Sequence, residues 1–323
     1  MLGAQKNSES SQKMPRLMNK NGTIGSPISV ILPNKETLFA KRAQRFTHLA
    51  STLANKEVLL FFADFCDAQQ QSTEKFKDFA VPLSRFGASS APPFDRSKLL
   101  ILGLYESIVG DFLKRLTIKT FPSQVFSKKK HEALKRTQQQ RDYWRLWGHN
   151  LLNHTLPPQQ LAEHIFIAGA LQVMYSLAAS QLDAQSLIPQ QHNLCPACSG
   201  THSATLIIER KSYETLKVCS CLYCGTLWSI PYTQCTFCGA TQNNISLDTT
   251  QNIPEGILFE TCEACGSYCK QLNHHKNPTL DVFTDDMSTP TADFLHKGSF
   301  HFKYKAFNPF LAEYKREADF VLY

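Results

Sequence analysis

Cysteine is nearly absent from the first 194 residues, where Cys66 stands alone. Other absences narrow the function further. No stretch has the roughly 20 apolar residues that a membrane-spanning helix needs. The best candidate, "IFIAGALQVMYSLAA" from Ile165 to Ala179, is shorter and has Gln172 in its middle. It predicts a helix buried on all sides, and no membrane span. The opening "MLGAQKNSESSQKMPRLMNKNG" lacks the apolar block of a secretory signal, so the expected location is the cytoplasm. There is no phosphate-binding glycine loop, no H-E-x-x-H pair and no G-x-S-x-G turn. Nucleotide hydrolysis, metallopeptidase and serine-hydrolase chemistry therefore lack their usual local residues.

What is present describes a soluble globular chain, with 42% hydrophobic and 19% charged residues over 323 positions. That length has room for two or three domains. The formal charge of +7 suggests an affinity for nucleic acid. Eight metal-bound thiolates and two divalent ions would remove four of those charges and leave +3. Between Cys195 and Cys269 the only basic residues are Arg210, Lys211 and Lys217, a poor footprint for nucleic acid.

Ten of the eleven cysteines fall between Cys195 and Cys269. Four C-x-x-C pairs stand out: Cys195/Cys198, Cys221/Cys224, Cys235/Cys238 and Cys262/Cys265. In a reducing compartment such pairs point to metal before disulfides. Cys195 to Cys235 spans 40 positions and Cys221 to Cys262 spans 41, so the segment is an internal duplication. Each copy reads as knuckle, two strands, knuckle, with "SATLIIE" and "YETLKV" in the first and "NISLD" and "ILFET" in the second. Glycines at 225, 239 and 266 follow the second cysteine of their pairs, and Gly200 comes one place later in the first. Such residues let the backbone turn toward a metal without a Cβ clash.

The repeat also sorts the surplus thiols. A shift of 41 places Cys219 on Glu260 and Cys269 on Trp228, so neither has a counterpart and both are expected to be buried structural thiols. Cys66 is expected to be a small buried apolar residue on a helix. Each copy then offers four thiolates, the donor set of a closed structural zinc site. Iron held by four thiolates fits the same spacing. His192, His202, His274 and His275 lie near the cysteines and are read as ordinary polar residues.

Ahead of the cysteines the pattern is helical. Phe39, Ala43, Phe46, Ala50 and Leu53 recur on one face of a helix that follows Pro33 and Asn34. Lys41, Arg42 and Arg45 lie off that face, as a solvated surface or a docking surface. "EVLLFFADFCDAQQ" predicts a second helix, and further helices are expected at about 97–116, 128–150 and 158–183. The stretch 84–95 is a loop rich in breakers. The basic "KKKHEALKRTQQQRDYWR" is a solvated helix face or a surface for acidic partners or nucleic acid.

Several local words bind these features together: "LFAKRAQRF", "CPAC", "CLYCGTLW", "CTFC", "SLD", "CEACGSYCK", "TDD" at 284–286 and "FNPFL" at 307–311. In this order they resemble the FdhE-type formate dehydrogenase accessory proteins. The resemblance implies an α+β multidomain chain, with an N-terminal all-α helical domain followed by two tandem rubredoxin-like zinc ribbons of four cysteines each. It implies a non-catalytic role in producing active respiratory formate dehydrogenase, through binding of its catalytic subunit in the cytoplasm before export. It suggests a partner-facing or inter-domain role for Asp285 and Asp286, beside the docking candidates Arg42 and Arg45. Ser199 departs from the pattern, standing where the first knuckle usually has glycine.

The expected division is a polar tail over 1–33, a helical domain over 34–190, ribbons over 191–232 and 233–285, and a C-terminal tail over 286–323. Two rival readings are kept: an iron-loaded redox protein and a nucleic-acid-binding zinc ribbon protein.

Overall fold

A computed structural model describes residues 29–81, 92–116, 124–188, 190, 194–209, 215–241, 245–248, 253–290 and 302–312. The expected tail up to residue 28, most of the 84–95 loop, His192, Arg210, Lys211 and residues 313–323 lie outside them.

The helical part comprises α1 (Leu38–Ala50), α2 (Lys56–Phe76), α3 (Arg96–Leu99), α4 (Gly103–Arg115), α5 (Gln124–Gln139), α6 (Trp144–Leu152) and α7 (Leu161–Ala179). The apolar stripe of α1 is buried at Phe39, Ala43, Phe46, Leu49 and Ala50 and packs on α2. Phe65 of α2 lies edge-on to Phe112 of α4, with centroids 5.0 Å apart. At the centre runs α7, every residue of which is buried from Glu163 through Ala179. By length and composition the helical span 158–179 could cross a membrane, yet 89% of its most apolar window is buried within the fold.

Two expected helices are each split. The Asp95 side chain accepts from the backbone N–H of Ser97 and caps the short α3, and the chain turns again before α4. The helix expected over 128–150 breaks after Gln139 into a 3-10 turn and α6. That break tucks Trp144 inward, where its indole N–H donates to the carbonyl of Thr137 at 2.7 Å. A run of polar residues, "TQQQRD", gave the helix no apolar face to continue along.

The cysteine-rich part holds β2 (His202–Glu209), β3 (Thr215–Cys221), β4 (Leu227–Ile230), β5 (Ile245–Asp248), β6 (Ile257–Cys262) and β7 (Ser267–Asn273). Each copy is an antiparallel three-stranded ribbon. The copies are not separate sheets. β2 pairs in parallel with β7, Thr205 opposite Gln271 and Ile207 opposite Asn273, and this joins both ribbons into one sheet. Regular structure begins ahead of residue 34, because β1 (Val30–Ile31) pairs with β4. Within the segment assigned to a C-terminal tail, the described residues 286–290 and 302–312 carry regular structure. α8 (Val282–Ser288) crosses its expected start, β8 (Lys303–Tyr304) pairs with β7, and Phe310 packs into the helical core against Phe62, Phe65 and Phe283.

Candidate metal centres

The four C-x-x-C pairs gather into two groups of four sulfurs, each group lying within 4.8 Å. In the first, Cys195 Sγ is 3.6 Å from Cys224 Sγ, and Cys198 Sγ is 3.5 Å from Cys221 Sγ. In the second, Cys235 Sγ lies 3.9 Å from Cys265 Sγ, and Cys238 Sγ lies 3.7 Å from Cys262 Sγ. A tetrahedron with zinc–sulfur arms of about 2.3 Å has edges of about 3.8 Å, so both groups have the size of a four-thiolate ion site. Each could hold one metal ion, and the donor set suits zinc and iron alike.

Local backbone geometry explains how the pairs form. In each knuckle the residue after the second cysteine donates its N–H to the carbonyl of the first. The distances are 2.8 Å for Ser199, 3.2 Å for Gly225, 3.1 Å for Gly239 and 2.8 Å for Gly266. All four have positive φ, with Ser199 at 53°. The departure at Ser199 thus leaves the turn intact, at a cost of about 1–2 kcal/mol for an L-residue there. Gly200 meets a different demand. A Cβ on it would lie 2.9 Å from Cys221 Sγ and 3.1 Å from Cys198 Sγ, so glycine is needed for close approach to the sulfurs.

The electrostatics call for a cation. Burial raises the thiols of Cys195 and Cys224 well above their usual range. Burial pushes Cys221 the same way, yet hydrogen bonds from its three neighbours hold it well below. Burial also takes Cys262 up to about 12. Left to itself each cluster favours shared protons over four negative charges, and a divalent ion reverses that balance.

The two groups differ in setting. Cys195, Cys198, Cys221 and Cys224 are buried within the same apolar core as the helices. Gln172 reaches from α7 to this knuckle, donating to the Leu222 carbonyl at 2.7 Å while accepting from Gln69 at 2.8 Å. The polar interruption of the apolar run is therefore a strut between helical core and first centre. Arg96 approaches from α3 with its guanidinium 5.6 Å from the Tyr223 ring centroid, and its Nη1 is buried without a hydrogen-bond partner among the described residues. In the second group Cys235 and Cys262 are buried, Cys265 is partly exposed and Cys238 is exposed.

Cys219, Cys269 and Cys66 are buried and stand outside both groups, and burial pushes each of their thiols up. His202 also stands outside. Burial, aided by nearby Lys217, brings it down to about 4, and it lies over Phe237 at 4.7 Å. Lys217 is itself buried in an ion pair with Glu260.

The docking candidates Arg42 and Arg45 are turned inward, and Asp285 and Asp286, for which a partner-facing or inter-domain role was expected, make contacts between separated parts of the chain. Arg42 is 2% exposed, with its guanidinium 4.7 Å from the Phe283 ring centroid and 3.7 Å from Asp281. Arg45 forms a two-pronged pair with Asp285, at 2.6 Å and 3.1 Å, and donates to Thr279. Asp286 accepts from Lys270 at 3.0 Å and from Asn308 at 3.4 Å. These residues form an internal latch, not a free docking surface, because each charge finds its counterpart inside the chain. Three separated words, "LFAKRAQRF", "TDD" and "FNPFL", meet there. Arg96, Gln172 and Lys270 were missed, since nothing in local sequence marks a polar residue whose neighbour lies on another element, 16 positions away for Lys270 and 50 for Gln172.

Comparison with known proteins gives a consistent result. Residues 27–192 match the family model described as FdhE, N-terminal, and residues 233–311 match FdhE, C-terminal domain. A protein FdhE homolog of Rhizobium meliloti is 29% identical over 291 residues, covering 88% of this chain and 93% of that protein. A second, from Edwardsiella ictaluri, is 25% identical over 311 residues, covering 91% and 94%. The crystal structure of the FdhE protein from Pseudomonas aeruginosa superposes with a TM-score of 0.70 at 21% identity, over 86% of this chain and 96% of that one.

Proposed function

The chain belongs to the FdhE family, and from that premise we propose that it is an accessory protein for formate dehydrogenase. It engages the enzyme's catalytic subunit in the cytoplasm before export and does not itself turn over formate. Family membership along most of the chain is the observation that carries this reading. Cys195, Cys198, Cys221 and Cys224 are assigned as ligands of one metal ion, and Cys235, Cys238, Cys262 and Cys265 as ligands of a second. Sulfur spacing and knuckle geometry support that assignment. A set of four protein thiolates fills a tetrahedral ion, which favours a structural over a hydrolytic use.

The test is a deletion strain grown anaerobically. Loss of respiratory formate dehydrogenase activity, restored by the wild-type chain, is expected, together with recovery of the catalytic subunit on the tagged protein. Normal activity in the deletion strain would overturn the accessory role. Restored activity without any captured subunit would overturn the binding step alone.

A further inference from the structure

The two cysteine groups share donors and knuckles but not surroundings. All four sulfur-bearing residues of the first are at most 1% exposed and belong to the core that α1, α2, α4 and α7 build. None of the second group's cysteines belongs to that core, and Cys238 faces solvent with Cys265 partly exposed beside it. Two further features separate them. A tetrathiolate holding a divalent ion carries a net charge of about −2, which is costly to bury without compensation. Beside the first group lies Arg96, with Nη1 buried and unpartnered among the described residues and its guanidinium over the knuckle residue Tyr223. Gln172 pins the same knuckle to α7 through the Leu222 carbonyl. At the second group the buried Ser267 hydroxyl lies 2.9 Å from Cys265 Sγ, and Lys305 donates to the Cys265 carbonyl from an exposed position, so part of the compensation comes from the surface.

Resting on the assignment of both groups as metal centres, we propose that they are kinetically unequal. The first is a locked centre that fastens the first ribbon to the helical core. The second is an exchange centre, which passes its ion to or from a thiol-bearing acceptor through Cys238. The step is ligand substitution without redox change. The acceptor thiol binds the ion as a thiolate, the bond from the ion to Cys238 Sγ breaks, and the acceptor's proton goes to the released Cys238 sulfur. Repetition at Cys265 and then at the two buried cysteines completes the transfer. At the first group no sulfur is open to the initial attack, so release there waits on opening of the core.

The test uses the full chain loaded with two equivalents of zinc and challenged with excess 4-(2-pyridylazo)resorcinol, with glutathione added in a parallel series. One equivalent is expected to leave quickly, at a rate that rises with chelator and is quickened by glutathione. The other should leave at least about 100-fold more slowly and at a rate independent of chelator, because it is gated by local unfolding. Iodoacetamide quenching followed by peptide mapping identifies each phase in the unaltered protein. Cys235, Cys238, Cys262 and Cys265 should be labelled in the fast phase, and Cys195, Cys198, Cys221 and Cys224 only in the slow one. Cys238→Ser should abolish the fast phase and leave the slow one. Equal rates for the two equivalents, or fast-phase labelling of the first group, would overturn the inequality while leaving both centres standing. Failure to bind two equivalents would overturn the metal assignment itself, and this proposal with it.

Discussion

Replacing Asp285 by alanine isolates the latch between α1 and α8. Its carboxylate accepts from Arg45 Nη2 at 2.6 Å, from Arg45 Nε at 3.1 Å and from the Asp281 N–H at 2.8 Å. The side chains are 9% exposed for Arg45 and fully buried for Asp285, so solvent screening is small. Removal leaves a nearly buried guanidinium with Thr279 as its remaining partner. Breaking a buried pair on one side costs about 3–5 kcal/mol, because the surviving charge stays uncompensated. For a chain of this size that is a fall in Tm on the order of 10 °C. The assay is thermal and urea unfolding of metal-loaded protein, for Asp285→Ala, Arg45→Met and the double variant. The double variant should lose less than the sum of the singles by about 1–3 kcal/mol, as expected for residues in direct contact. Lys77→Ala, which breaks an exposed ion pair with Glu74, serves as a control and should leave the midpoint unmoved. Additive losses, or a shift of Asp285→Ala no larger than that of the control, would refute the latch.

The pH dependence of the same residue has a definite sign. Burial holds the Asp285 carboxyl above its usual value despite Arg45, so the native state keeps that proton where the unfolded chain has lost it. Its contribution is therefore greatest below the unfolded value and falls as pH rises through the native one. Urea midpoints of wild type minus Asp285→Asn should decline over that rise, and an increase would contradict it. Gly169→Ala sets two effects against each other. Alanine gains about 1 kcal/mol of helix propensity, but its Cβ would lie 2.3 Å from the Phe65 ring, itself locked among Phe61, Phe62 and Phe112. Overpacking of about 1–3 kcal/mol should win, so urea unfolding should show net destabilisation, and a raised midpoint would refute it. Arg96→Met should lower metal affinity at the first centre by about tenfold or more, read by chelator competition, while leaving the second unchanged. Cys262→Ser should unfold the second ribbon, since ion binding worth roughly 10–16 kcal/mol dominates so small a unit. A protease-resistant, metal-loaded variant would refute that.

Sequence alone was enough to group the cysteines. Eight of them repeat at 40 and 41 positions, with glycine directly after three of the four pairs, and that periodicity separates Cys219 and Cys269 from the rest because each C-x-x-C turn sets its sulfurs locally. The buried α7 was legible for a similar reason, as an apolar run broken only by Gln172, although its helical span is long and apolar enough to cross a membrane and burial within the fold is what the structure adds. The breaks at Leu100–Leu102 and Gln140 were not legible, because tertiary burial of Trp144 and packing around α4 decided them against a continuous helical pattern. The inward placement of Arg42 and Arg45 was beyond reach too, and for Asp285 and Asp286 the partner-facing and inter-domain alternatives stood undivided. A charge reads as solvated until the fold brings its counter-charge from some 240 positions away, as Asp285 is brought to Arg45. The same holds for the contrast between the centres. Identical ligand motifs fix what each group can bind. Only packing against the helical core, with Gln172 and Arg96 turned toward one knuckle and solvent left beside the other, sets how tightly each is enclosed.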